Sequence, residues 1–300
     1  MARVTVAAYA GDTAALVWIA EDQGFFADAG LDVEIKQFEA GKLAADALWA
    51  GEADLSTSAA FVLVSRSFAG PDAKVLATVA SSETNFLVGR RDRGIERPED
   101  LAGKTVGVTR GSAGEFFLGR FLDFNNLRAD DITVVDRPPS GLVQGIADGT
   151  LDAAVTWNPN AFEMRRRLGD QAAVFPAQGG QELYFLLLAD AGWLAENETS
   201  ARAFLAALSR AEAFAEERPG DVRSLLIRLF GYDPGYADHA LETHRFTVEM
   251  PQALIISLEN QARWAIESGL AAAGRVPNYL DFLHLGALDA VRPVAVTVIR

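Results

Sequence analysis

Two matching segments constrain this chain more than any other feature. Leu48-Trp49-Ala50-Gly51-Glu52-Ala53-Asp54-Leu55 has a counterpart in Ile146-Ala147-Asp148-Gly149-Thr150-Leu151-Asp152-Ala153. In each, a helical pattern stops at a Gly, a residue suited to the left-handed helix end, and the Asp that follows opens a strand. Shared helix-to-strand punctuation accounts for part of the match. Two similar α/β lobes account for the rest.

The periodicity around each segment supports this reading. Val4 and Val6 begin a buried strand, Leu16, Ile19 and Ala20 fall at helical spacing, and residues 30–35 alternate apolar with charged side chains. A helix over 42–50, a strand at 54–58 and a strand at 74–80 follow. The second block repeats the order, with strands at 104–109 and 132–135, helices at 116–125 and 142–147, and strands at 152–157, 173–176 and 182–189. From residue 200 the pattern is mainly helical. Alternating strands and helices predict an α/β protein of two lobes, each a mainly parallel sheet flanked by helices. The apolar strands 81–89 and 182–189 are best placed to cross between lobes as a two-strand hinge. That predicts a discontinuous lobe of residues 1–84 and 188–300, with 85–187 inserted.

Composition narrows the function. The 27 Lys and Arg against 41 Asp and Glu give a net charge of −14, and nucleic-acid binding needs a clustered positive surface, so no nucleic-acid partner is expected. Arg165-Arg166-Arg167, beside Glu163, reads as a solvated helix end. The absence of cysteine excludes a disulfide scaffold, cysteine-ligated metal and a cysteine nucleophile. No apolar run approaches a membrane span.

Motifs for chemistry are missing. Gly41-Lys42 is followed by Leu43 and has no Gly at position 36, so there is no phosphate-binding P-loop. A dinucleotide fingerprint and a Gly-x-Ser-x-Gly elbow are also missing. His239, His244 and His284 lack zinc spacing and are expected at the surface or at helix ends. No cofactor, metal or catalytic residue is predicted. What remains is a set of polar strand-to-helix turns, the usual ligand position in open α/β sheets: Gly11-Asp12-Thr13, Thr57-Ser58, Arg110-Gly111-Ser112 and Trp157-Asn158. Ser112 to Glu115 fits a capping box, with Ser capping the helix and Glu returning to the Ser N–H. Asp12 and Thr13 equally suit N-caps, and Trp157 equally suits a core position.

These residues, with Ile19 to Phe26, Gly30-Leu31-Asp32-Val33, Ala50 to Leu55, Pro98 to Val108, Gly111-Ser112 and Asp152 to Pro159 in order, resemble the periplasmic solute-binding proteins of ABC importers in the nitrate, sulfonate, taurine and thiamine-pyrimidine precursor group. The resemblance covers roughly residues 4 to 190. It implies a two-lobe periplasmic-binding-protein-like clamp that holds a small solute between lobes and presents it to a membrane permease. It carries Asp12, Thr57, Ser58, Ser81, Ser112 and Trp157 into the cleft lining. Asn158 stands where many relatives have Asp, and Glu115 puts a carboxyl where an anion would approach.

The expected function is therefore solute capture by a monomeric, non-catalytic protein, in the periplasm or anchored outside the membrane, with an export segment encoded before Met1 or Ala2. Alternatives are a ligand-sensing module of a signalling system and, less favoured, a fold recruited for catalysis. Helix N-termini and Arg110 favour an anionic group, whereas Asp12 and Glu115 repel one. A zwitterion such as an aminosulfonate satisfies both, with its acid at Arg110, Gly111 and Ser112, its amine at Asp12 or Glu115, and Trp157 over its apolar part. A pyrimidine on Trp157 and a simple anion are the alternatives.

Overall fold

The computed structural model describes residues 1–271 and 274–299. Its strands are β1 (Ala2–Tyr9), β2 (Leu31–Phe38), β3 (Leu55–Ala59), β4 (Ala73–Ser82), β5 (Asn85–Arg90), β6 (Thr105–Val108), β7 (Thr133–Asp136), β8 (Ala153–Trp157), β9 (Ala172–Pro176), β10 (Leu183–Asp190) and β11 (His244–Glu249). The chain divides into one unit made of Met1–Ser82 and the chain from Tyr184 onward, and a second unit, Glu83–Leu183.

The sheet of the first unit runs β11-β4-β10-β3-β1-β2, and that of the second β7-β6-β8-β5-β9. Helices flank both, as the alternation predicts. Parallel pairing joins β1 with β2 and β3 in the first sheet, and β6 with β7 and β8 in the second. These pairs are joined by helical crossovers, which parallel neighbours require. The pairs β3–β10, β4–β11, β5–β8 and β5–β9 are antiparallel. Both sheets are thus mixed, because the strands next to the two passages between units enter them in the opposite sense.

The paired sequence segments form the same joint in each unit. Gly51 and Gly149 both adopt left-handed backbone, with φ of +73° and +76°. Asp54 Oδ2 then accepts the Thr5 N–H of β1 at 2.7 Å, and Asp152 Oδ2 accepts the Thr105 N–H of β6 at 2.8 Å. The backbone repeats the match, since the Asp54 and Asp152 amides donate to the Thr5 and Thr105 carbonyls at 2.8 and 2.9 Å. Each Asp therefore pins the strand it opens to the first parallel strand of its own sheet.

Apolar faces cover these joints. In the second unit, Leu142, Val143 and Ile146 of the helix Pro139–Asp148 pack with Val88, Leu151, Ala154 and Met164. In the first, Ala44 and Ala47 of the helix Gly41–Trp49 pack on Ala7, Ala53 and Phe38. These small side chains let the helix approach the strands closely.

The sequence reading omits β11. Residues 244–249 lack clean alternation, and their strand character comes from β4, against which His244, Arg245 and Phe246 pair with Ser82, Ser81 and Ala80. Tyr279, in a segment the sequence leaves unexplained, is a buried anchor whose hydroxyl lies 2.9 Å from Ser67 Oγ.

Candidate functional site

The polar turns lie at strand ends, and each unit holds its own set. In the first unit, β1 runs through Gly11 into a short turn of helix, Asp12–Ala14. Asp12 is fully buried. Its Oδ1 accepts the Thr13 N–H at 3.0 Å, its Oδ2 accepts the Tyr236 hydroxyl, and its own N–H donates to Tyr232 Oη at 3.3 Å. His244 Nε2 lies 3.7 Å from Oδ1, while His244 Nδ1 is 2.8 Å from the Ala240 carbonyl oxygen.

A ring lattice closes round this carboxylate. Tyr232 meets Tyr236 edge to face at 4.8 Å, Phe230 meets Tyr232 at 5.4 Å, and Trp18 meets Phe230 at 5.6 Å. Burial, reinforced by the Asp12 charge, holds both tyrosine hydroxyls well above their ordinary pKa, so they stay protonated as donors. Asp12 is therefore a structural acceptor with both oxygens engaged. Thr13 contributes its amide to this turn, and each carboxylate oxygen of Asp12 has a donor within the unit. His244 does close a helix, as expected, but it is buried rather than solvated.

The other turn residues of this unit differ. Thr57 Oγ1 accepts the Tyr9 N–H at 3.0 Å, fastening β3 to the end of β1. Ser81 Oγ accepts from Arg245 Nε at 3.3 Å. Ser58 is fully buried, and its Oγ has no hydrogen-bond partner among the described residues. Gly41, which the sequence reading considers only as a failed P-loop, starts its helix directly over this serine. A Cβ at Gly41 would fall 2.8 Å from Ser58 Cα and 3.1 Å from Phe185 Cζ.

In the second unit, Ser112 caps the helix Ala113–Phe124, accepting the Gly114 N–H at 3.1 Å and donating to the Thr109 carbonyl at 2.6 Å. The capping box is shifted from its expected form. Glu115 returns to the Gly111 N–H, at 2.7 Å, instead of the Ser112 N–H, and pairs with Arg110 at 3.1 Å. The Arg110 amide donates to Asp136 Oδ1 at 3.0 Å. A carboxylate of the protein thus accepts the Gly111 amide at which the acidic end of a solute is expected, since Glu115 lies one helical turn away.

Trp157, half-buried, ends β8 opposite Asn85. The buried Asn158 donates its N–H to the Thr84 carbonyl at 2.9 Å. Beneath it Gln178, a residue the sequence reading misses, uses Oε1 to accept the Thr84 and Asn85 amides at 2.6 and 2.8 Å. Tyr232, Tyr236, Gln178 and Phe185 are missed for one reason: each reaches its turn from a distant part of the chain, and no local motif marks it.

A family model described as NMT1/THI5 like matches residues 13–222. The chain belongs to this family. A Brucella abortus protein named as a binding protein is 26% identical over 214 residues, which make up 67% of this chain and 63% of that relative; the match thus spans less than two thirds of the relative's length. The fold of this NMT1/THI5-like chain is that of the alkanesulfonate-binding protein SsuA from Xanthomonas axonopodis pv. citri, solved with MOPS. That likeness has a TM-score of 0.80 and 18% identity, over 100% of this chain and 99% of SsuA. The periplasmic nitrate-binding protein NrtA from Synechocystis PCC 6803 is similar at a TM-score of 0.80 and 12% identity, over 98% of this chain and 89% of NrtA. The periplasmic-binding-protein fold expected from the sequence is therefore the observed one. Among the described residues, no helix is long and apolar enough to cross a membrane.

Proposed function

We propose that this chain is the extracytoplasmic solute-binding component of an ABC importer, capturing a small organic anion of the sulfonate type at its strand-end turns and delivering it to a membrane permease. Family membership and the fold shared with SsuA and NrtA support solute binding over catalysis. The observation that carries the charge assignment is that both candidate carboxylates are already engaged. Asp12 is held by Tyr236 and Thr13, and Glu115 by Arg110 and the Gly111 amide. Glu115 already has its cation in Arg110, and Asp12 is buried within its own turn, which weakens the argument for a zwitterion and favours an anion. Ser58, Ser81, Trp157 and Asn158 stay in the proposed contact set, while Asp12, Thr13, Thr57, Arg110, Gly111, Ser112 and Glu115 shape the turns.

Thermal unfolding of dialysed protein with alkanesulfonates, nitrate and taurine tests this reading. A ligand at 100 times its dissociation constant stabilises the folded state by about 2.7 kcal/mol. An alkanesulfonate is expected to raise the midpoint more than the aminosulfonate taurine does. The reverse order would restore the zwitterion, and no shift with any anion would count against solute capture.

A further inference from the structure

Helix starts near the strand ends satisfy their first amides in different ways. In the turn at Asp12, the carboxylate takes the Thr13 amide, and at the helix Ala113–Phe124 Ser112 and Glu115 take those of Gly114 and Gly111. The nine-residue helix Gly41–Trp49 has no such device, because its N-cap is Ala40, which has no side-chain acceptor. Its first amide to find a partner is that of Ala44, on the Ala40 carbonyl at 3.1 Å. The amides of Gly41, Lys42 and Leu43 donate to no group among the described residues. Unpaired amides at a helix start and the helix dipole together favour an anion.

A second observation points to the same place. Ser56 pairs with Ala7 across β1 and β3, and strand alternation puts Ser58 on the face of Ser56 and Ala7. That face carries this helix, since Ala7 packs on Ala44 and Ala47. Ser58 is fully buried, its Oγ lacks a partner among the described residues, and a Cβ at Gly41 would nearly touch its Cα. A buried hydroxyl without a partner costs free energy that a ligand acceptor would recover. Lys42 Nζ is paired with Asp46 at 2.5 Å, so the attraction comes chiefly from amides and hydroxyl. The ring of Phe185 stands beside Gly41, with the ring of Tyr9 5.9 Å from it, and the two form an apolar wall.

We propose that the oxyanion head group of the solute docks at the start of the helix Gly41–Trp49, accepting hydrogen bonds from its first free amides and from Ser58 Oγ, with its carbon chain against Tyr9 and Phe185. This rests on the solute-binding reading above and moves the acidic end from Gly111 and Ser112 to Gly41 and Ser58.

The test is titration of the 15N-labelled full chain with sodium methanesulfonate, followed by backbone amide shifts, for wild type, Ser58→Ala and Ser112→Ala. Saturable shifts are expected at Gly41, Lys42 and Leu43. Ser58→Ala should weaken binding about tenfold, the scale of one lost hydrogen bond to a charged group, without lowering the thermal midpoint of the free protein. Ser112→Ala should keep wild-type affinity. Shifts confined to residues 111–114, or unchanged affinity in Ser58→Ala, would overturn the site while leaving solute capture intact. If methanesulfonate gives no saturable shift but another solute raises the thermal midpoint, this site is wrong and capture stands; if no solute does either, both readings fall.

Discussion

Asp12 shows how one buried charge organises distant parts of the chain. A fully buried carboxylate persists only with its acceptor capacity met, and here the donors come from its neighbour Thr13 and from Tyr236, far along the sequence. Tyr236→Phe keeps the ring and removes that donor, so it should cost roughly 1–3 kcal/mol of stability, read from urea unfolding at neutral pH. The same cluster sets an alkaline response. Tyr232 and Tyr236 have folded pKa values well above their ordinary value of 10.0, and Tyr279 is pushed up to about 12, mainly by burial. A raised folded pKa means the unfolded chain loses protons first, so this contribution is intact below pH 10 and declines as pH rises towards the folded values. The urea midpoint should therefore drop above pH 10, and less steeply in Tyr236→Phe. An equal slope in the variant would remove Tyr236 from the explanation.

At the scale of elements, the recurring joint of Gly, Asp and strand is the feature to probe. Asp54 and Asp152 accept equivalent amides in the two units, at 2.7 and 2.8 Å. Asp54→Ala and Asp152→Ala should each cost about 1–2 kcal/mol, whereas Asn, which retains an acceptor oxygen, should cost less. Chemical denaturation of the four variants checks this, and an Asn as damaging as Ala would mean that charge, rather than the hydrogen bond, holds the joint. Ser112→Ala removes the N-cap of the helix Ala113–Phe124 and should cost about 1 kcal/mol. Ser58→Ala removes a hydroxyl with no partner among the described residues and should cost nothing in the free protein. The paired segments in the sequence specify the local form of the joint, because a left-handed Gly and an Asp are local requirements. They do not specify which strand amide the Asp reaches.

The two units differ in how much chain each needs. Glu83–Leu183 is continuous and carries its own sheet and apolar cluster, so a fragment of residues 83–183 should fold alone, with cooperative thermal unfolding and dispersed amide resonances. Residues 1–82 should not, because β10 lies between β3 and β4, and the buried Phe204, Leu205 and Leu208 come from the later chain. A folded 1–82 fragment would contradict that assignment. Hydrophobic periodicity and glycine placement are properties of neighbouring residues, and they alone determined the alternation of strands and helices, the repeated joint, the family resemblance and the polar turns. Tertiary structure decided what those turns can do. Whether Asp12, Glu115 or Ser58 has a polar group to spare depends on partners that only folding brings within hydrogen-bond reach: Tyr236 for Asp12, Gly111 and Arg110 for Glu115, and for Ser58 the start of the helix at Gly41.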